Sequence, residues 1–286
     1  MLTTEGWDPV VVSLYRGAIG LVFVLLWLVW RPGGSGLTSG RLWFWSVIAG
    51  IGVAGNFSFY FVSIAQGSVA VAVTLMYSAP IFVYLISFLF KLEKPTVAKW
   101  AAIILVVVGV VLLTGLLDIE GDEVTLIATL AGLLAGLSYA LFIFGFKYAA
   151  PHGSPQAILV IAFAVLVGLL ACWSDTDQMA AVWNAPHWPL FAILGVFGAG
   201  LSFFFYIVGL KHTAPTVAAM VALVEPVTAA LFGVVVLNES IAALQVLGMA
   251  VILTTVTALS LSASAPVNML RQSRASRIPS RKTPNV

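Results

Sequence analysis

The feature that most constrains this chain is a pattern of apolar stretches that repeats once along its 286 residues. The second half aligns with the first, without a gap, at a constant offset of 146 residues, the separation of Pro9 from Pro155. The alignment depends on residue types that seldom match by chance. The matched pairs are Pro9 with Pro155, Trp27 with Trp173, Gly52 with Gly198, Tyr60 with Tyr206, Pro80 with Pro226 and Glu93 with Glu239. We therefore expect the two halves to share one fold.

The composition places these stretches in a membrane. Hydrophobic residues make up 61% of the chain and charged residues only 8%, whereas about a quarter of the residues of a soluble domain are charged. A helix needs about 20 apolar residues to cross a bilayer core of about 30 Å. Nine stretches of that kind predict nine transmembrane helices, at residues 10–30, 43–65, 69–90, 97–117, 124–146, 156–173, 188–210, 215–237 and 241–262.

The spanning segments are predicted to be helices, because lipid offers no partner to free backbone N–H and C=O groups. A membrane β-barrel would need alternating polar and apolar residues, and that alternation is absent. The stretch from Ala101 to Leu113, for example, is apolar on every face. The predicted fold class is an all-α integral membrane protein.

Basic residues orient the predicted helices, since lysine and arginine in short loops stay in the cytoplasm. Nine helices place every basic residue except Arg16 on one side, and most acidic residues on the other. The C-terminus is then cytoplasmic and the N-terminus external. The cytoplasmic residues are Arg31, Arg41, Lys91, Lys94, Lys99, Lys147, Lys211, Arg271, Arg274, Arg277, Arg281 and Lys282.

One helix of the second half has no counterpart in the first, because subtracting 146 from residues 124–146 leads upstream of Met1. Restoring it would give an inverted 5+5 repeat, in which an odd number of helices turns the second bundle upside down. The expected domains are residues 1–117, a first repeat that lacks its first helix, residues 118–262, a second repeat, and residues 263–286, a disordered basic cytoplasmic tail. A true nine-helix variant is the alternative.

Two proline-to-glutamate stretches, each with a spacing of 13 residues, carry the most specific signal in the sequence. They are supported by a Leu-Tyr-Arg run after Pro9 and by a glycine- and alanine-rich helix start. With these residues the chain resembles the EamA family of the drug/metabolite transporter superfamily, up to about residue 262. The stretches are Ser78-Ala79-Pro80-Ile81 to Leu92-Glu93-Lys94, Val224-Glu225-Pro226-Val227 to Leu237-Asn238-Glu239, Leu14-Tyr15-Arg16, and Gly132 to Ala140.

The resemblance implies ten helices in two inverted halves and transport of small metabolites, often export of amino acids, across the bacterial inner membrane. It implies a transporter rather than an enzyme, with no cofactor. The expected partners are the lipid bilayer and a small-molecule substrate such as an amino acid, with protons as a candidate coupling partner and no nucleic acid. Substrate identity, direction, coupling ion and oligomeric state are left open.

Two charged residues at membrane depth are candidates for binding or coupling, since such charges are expensive unless they face water or a partner. Glu225 lies about halfway along its span, where it could exchange a proton against substrate or pair with an amine. The alternative is a structural carboxyl held by a hydrogen bond or by Arg16. Arg16 could hold a substrate carboxylate with two N–H groups, or snorkel to the headgroups.

Prolines and polar side chains within the spans complete the candidate site. Pro80 and Pro226 are expected to break their helices, and the two broken spans to serve as cavity walls and hinges; static kinks fixed by packing are the alternative. Glu93 and Glu239 are expected to contact loops at helix ends. The remaining candidates, polar or amphipathic residues of a shared cavity, are Asn56, Tyr60, Tyr77, Tyr139, Ser202 and Tyr206.

Other chemistries have little support in the sequence. No metal site is expected, because Cys172 is the only cysteine and the three histidines are scattered in loops. No nucleotide-binding motif is present, which argues against an ATP-driven pump. An intramembrane enzyme acting on lipid would need a cluster of catalytic groups. A non-transporting assembly partner or a degenerate paralogue stays an alternative function.

Overall fold

Helix is the only regular secondary structure in the residues that the computed structural model describes, which are 6–92, 94–114, 125–237 and 242–258. In the described residues, seven helical segments are long and apolar enough to cross a membrane, and two shorter apolar helices bring the number to nine. The prediction of an all-α membrane protein is confirmed. The last span, predicted at 241–262, is described only over Ala243–Ala258.

The helices are numbered in chain order, with some spans built from more than one of them. They are α1 Pro9–Trp30, α2 Gly40–Ala65, α3 Val69–Met76, α4 Ala79–Leu89, α5 Val97–Thr114, α6 Leu126–Ala149, α7 Pro155–Ala171, α8 Thr176–Ala181, α9 Trp188–Gly195, α10 Ser202–His212, α11 Pro215–Val221, α12 Val224–Leu237 and α13 Ala243–Ala258. A π-helical turn, Val196–Leu201, joins α9 to α10.

Equivalent helices of the two halves begin with the same local chemistry. Asp8 caps α1 by accepting from Val10 N at 2.6 Å, and Ser154 caps α7 by accepting from Ala157 N at 3.3 Å. A proline follows each cap, at a position where its missing N–H has no intrahelical partner to lose. The repeat seen in the sequence is therefore visible in how the helices start.

Two spans are broken near their middle, each just before a proline. The first break separates α3 from α4 at Tyr77 and Ser78, ahead of Pro80. The second separates α11 from α12 at Ala222 and Leu223, ahead of Pro226. Proline cannot donate to the carbonyl four residues back, and its ring crowds that carbonyl, so a proline fits best in the first turn of a new helix. Pro80 is the second residue of α4, and Pro226 is the third residue of α12. A hinge function for the two prolines stays a prediction.

The broken ends find substitute hydrogen bonds, as backbone groups in lipid must. Ser78 Oγ donates to Leu75 O at 2.6 Å, and Glu225 N donates to Ala222 O at 2.9 Å, three residues back instead of four. Both breaks are thus tight turns in which the chain continues in the same direction.

Glycines let the central helices approach closely. A Cβ added to Gly52 would lie 2.6 Å from Phe142 N, and one added to Gly145 would lie 2.6 Å from Ala49 N. Real Cβ atoms essentially never come that close to another atom, so α2 and α6 pack backbone to backbone at these glycines. This pair forms the centre of the bundle, against which α1, α7 and the broken span α3–α4 also pack.

An ammonium group ties α6 to the end of α10. Lys147 Nζ donates to Leu210 O at 2.8 Å, to Lys211 O at 3.1 Å and to Thr213 O at 2.7 Å. The last carbonyls of a helix have no intrahelical partner and carry partial negative charge. Lys147 therefore acts as a cap supplied by a neighbouring helix.

Replacing Lys147 with methionine should lower the free energy of unfolding by about 2 kcal/mol, because charged hydrogen bonds to these carbonyls are lost. The apparent melting temperature in detergent measures the change. Lys211→Met is the matched control, since the Lys211 side chain is exposed at the same helix end. Equal destabilisation by the two substitutions would contradict the capping role of the Lys147 ammonium.

Candidate functional site

The bundle encloses a cavity of about 460 Å³ between α1, α2, α6, α10 and the two helix breaks. The structure places all eight polar and charged candidates on its walls, although they come from widely separated parts of the chain. A role in binding remains a prediction for each of them. The eight are Arg16, Asn56, Tyr60, Tyr77, Tyr139, Ser202, Tyr206 and Glu225.

Glu225 reaches the cavity because the second helix break precedes it. It lies in the first turn of α12, and its side chain is exposed to the cavity. The Tyr77 side chain, at the first break, faces the same cavity. The two breaks thus bring a carboxylate and a phenol together, one from each half of the chain.

Arg16 turns into the bundle rather than toward the headgroups. Its Nη2 and Nε donate to Gly198 O, at 2.5 and 3.2 Å, and its guanidinium lies 5.5 Å from the centre of the Phe57 ring. Arg16 and Glu225 attract each other, but among the described residues no direct ion pair joins them. Both charges are therefore accessible from the cavity.

Some polar side chains at the cavity already have hydrogen-bond partners within the protein, and one does not. Asn56 Nδ2 donates to Ala135 O at 3.0 Å, which ties α2 to α6, and Ser202 Oγ donates to Gly198 O at 2.8 Å. The Tyr206 hydroxyl is buried and has no hydrogen-bond partner among the described residues. Buried polar atoms are nearly always paired. Tyr206 therefore contributes an unsatisfied hydrogen-bonding group just behind the surface of the cavity.

Aromatic side chains form much of the cavity wall, and none of the phenylalanines among them is one of the site residues predicted from the sequence. Phe142 and Phe203 both lie edge to face against Tyr206, with ring centres 6.2 and 6.4 Å away. Phenylalanine is abundant in this chain, so composition gives no signal for these two. Phe57 and Phe61 could have been found, because they share a helix face with Tyr60 and Asn56.

Some predicted residues do not reach the cavity. Pro80 and Pro226 are buried beside it and affect its shape only through the helix breaks. Glu93 and Glu239, and the tail 263–286, lie outside the described residues. In the described part of the chain, no three acidic, histidine or cysteine side chains are grouped so that they could hold a metal ion.

Known proteins resemble this chain in sequence and in fold. A curated relative from Archaeoglobus fulgidus, called an uncharacterized transporter, is 29% identical over 198 residues, or 69% of each chain. A solved structure described only as "Crystal structure of protein" is 19% identical, with a TM-score of 0.72 over 90% of this chain and 89% of the other, which shows a shared fold. The EamA-like transporter family matches residues 2–115 and 126–261. This chain therefore belongs to the EamA-like family of membrane transporters.

Proposed function

We propose that this protein is a secondary transporter that exports an amino acid or a related small metabolite across the bacterial plasma membrane. The observation that carries the proposal is that Arg16 and Glu225 face one cavity without being paired to each other. An unpaired charge at membrane depth is expensive, so a ligand that supplies the opposite charge to each is strongly favoured.

A zwitterion meets both requirements at once. Its ammonium group pairs with Glu225, and its carboxylate binds Arg16, whose planar guanidinium suits two-pronged contact with a carboxylate. The Tyr206 hydroxyl adds a hydrogen bond, and the rings of Phe142 and Phe203 cover the carbon skeleton. The cavity volume of about 460 Å³ has room for a ligand of amino-acid size.

Alternating access is the proposed mechanism, with residues 1–117 and 118–262 as the two halves that rock about the cavity. Broken helices at the central site are a recurring device of repeat-built transporters. Here the half-helices α4 and α11, one from each half, pack against each other. In this proposal the C-terminus and the basic tail face the cytoplasm.

Proton coupling through Glu225 is proposed as the source of energy. A carboxyl group exposed to the cavity beside Tyr77 can take up a proton when substrate leaves and release it when an ammonium group arrives. A passive facilitator, by contrast, does not respond to an imposed pH gradient.

The proposal is tested first by counterflow of a radiolabelled amino-acid mixture in proteoliposomes. Accumulation supports amino-acid transport. Failure of every amino acid to accumulate would contradict the proposal, and would favour another metabolite as substrate or a non-transporting assembly partner.

Glu225→Gln should abolish flux driven by a pH gradient while substrate-for-substrate exchange continues with weaker substrate binding, because the amide keeps the shape but can neither titrate nor form an ion pair with the ammonium group. Uptake with and without an imposed gradient measures the two modes. Asp177→Asn is the control, as that carboxylate is exposed in α8, away from the cavity. Survival of gradient-driven flux in Glu225→Gln would exclude the coupling role.

Tyr206→Phe should raise KM about fivefold and leave stability unchanged, because one hydrogen bond to substrate, worth about 1 kcal/mol, is lost and none within the protein. Tyr84→Phe is the matched control, since the Tyr84 hydroxyl accepts from Thr96 N at 3.0 Å outside the cavity. That variant should lose stability with KM unchanged. The opposite pattern of results would show that the Tyr206 hydroxyl does not contact substrate.

A further inference from the structure

We infer that the π-helical turn Val196–Leu201 is a positioning device for Arg16, which holds one edge of the guanidinium and leaves the other edge free for a substrate carboxylate. The inference rests on the proposed function, because it assigns a task at the same site. It identifies Gly198 as a positioning residue that acts through its backbone carbonyl.

The π turn makes this carbonyl available. A π turn contains one more residue than an α turn, so the hydrogen-bond ladder changes register where it meets α10. Gly198 O, within the turn, accepts from the side chains of Arg16 and of Ser202. Such turns occur mostly as single interruptions of α-helices and frequently at functional sites.

The two bonds from Arg16 use one edge of the guanidinium. Nε and Nη2 point the same way in the planar group, and both donate to Gly198 O. The opposite edge, formed by the two Nη atoms, has no partner among the described residues, and Arg16 lines the cavity. A carboxylate binds such an edge through two parallel hydrogen bonds.

Close packing holds α1 at the level of the π turn. A Cβ added to Gly195 would lie 2.5 Å from Ile19 Cβ, and one added to Gly20 would lie 2.9 Å from Ala199 Cβ. Backbone packing therefore fixes the position of the Arg16 backbone relative to Gly198, independently of the hydrogen bonds made by the Arg16 side chain.

The internal repeat provides a comparison within the same chain. At the equivalent helix crossing, Gly50 and Ala162 stand in place of Val196 and Arg16, and a Cβ on Gly50 would lie 2.6 Å from Ala162 O. The helix there, α2, continues as a regular α-helix. The π turn thus occurs in the half whose crossing must accommodate the arginine.

The hydrogen bond of Ser202 is a second difference between the two halves at this helix crossing. Its equivalent, Asn56, bonds across to α6, whereas Ser202 donates to Gly198 O within its own helix. The polar group at this position of the second half is used to orient the carbonyl that holds Arg16.

The first experiment separates positioning from a general structural role by comparing two inhibitors of counterflow, an amino acid and its carboxamide. Gly195→Ala should push α1 away from the π turn, and Arg16→Lys removes the planar edge. Each should reduce the preference for the carboxylate about tenfold, with inhibition by the carboxamide unchanged. Gly209→Ala, in α10 with open space around it, should match the wild type. A parallel change for both inhibitors would overturn the inference.

A second measurement does not require transport. Arg16→Met should raise deuterium uptake in the peptide covering residues 196–202, with no change in the peptide covering α5. Unchanged uptake at 196–202 would overturn the inference even if amino acids are transported. Raised uptake in a protein that moves no amino acid would instead keep the positioning contact and reject the proposed function.

Discussion

The rest of the structure depends on one requirement, that every backbone N–H and C=O group within lipid finds a partner inside the protein. Long α-helices meet it for most of the described chain. The exceptions are the two helix breaks and the π turn, and each is repaired locally: Ser78 bonds Leu75 O, Glu225 N bonds Ala222 O, and Arg16 bonds Gly198 O. The first break lines the cavity through Tyr77, and the second break and the π turn each lie close in sequence to residues that line it, Glu225 and Ser202.

The same exceptions supply the chemistry of the cavity. A regular helix presents side chains at fixed angles and uses up its own carbonyls, so it offers few polar groups to a ligand. The first break brings Tyr77 to the cavity, the second brings Glu225, and the π turn brings the carbonyl that holds Arg16. Transmembrane stability and a polar binding site are reconciled by confining irregular backbone to these points.

Much of this could be predicted from the sequence, because the length and continuity of apolar runs identify spans and prolines indicate where helices break. Candidate residues were found by the cost of a charge at membrane depth, as for Glu225. The direction of Arg16 could not be predicted, since it depends on an acceptor 182 residues away. A role for the Gly198 carbonyl could not be predicted either, because no sequence pattern distinguishes a π turn from an α-helix. Phe142 and Phe203 look like any other apolar residue until helix rotation is known.

The two charged side chains of the cavity come from different halves of the chain. Arg16 is in the first half of the chain and Glu225 in the second, and the equivalent positions hold Ala162 and Ala79. Neither half therefore carries a complete set of ionic contacts. In the proposed mechanism, a zwitterion bound between Arg16 and Glu225 connects the two halves electrostatically, and the strength of that connection depends on the distance between the halves. Any movement that separates the halves weakens both ion pairs together. Substrate binding and the separation of the two halves are therefore thermodynamically linked.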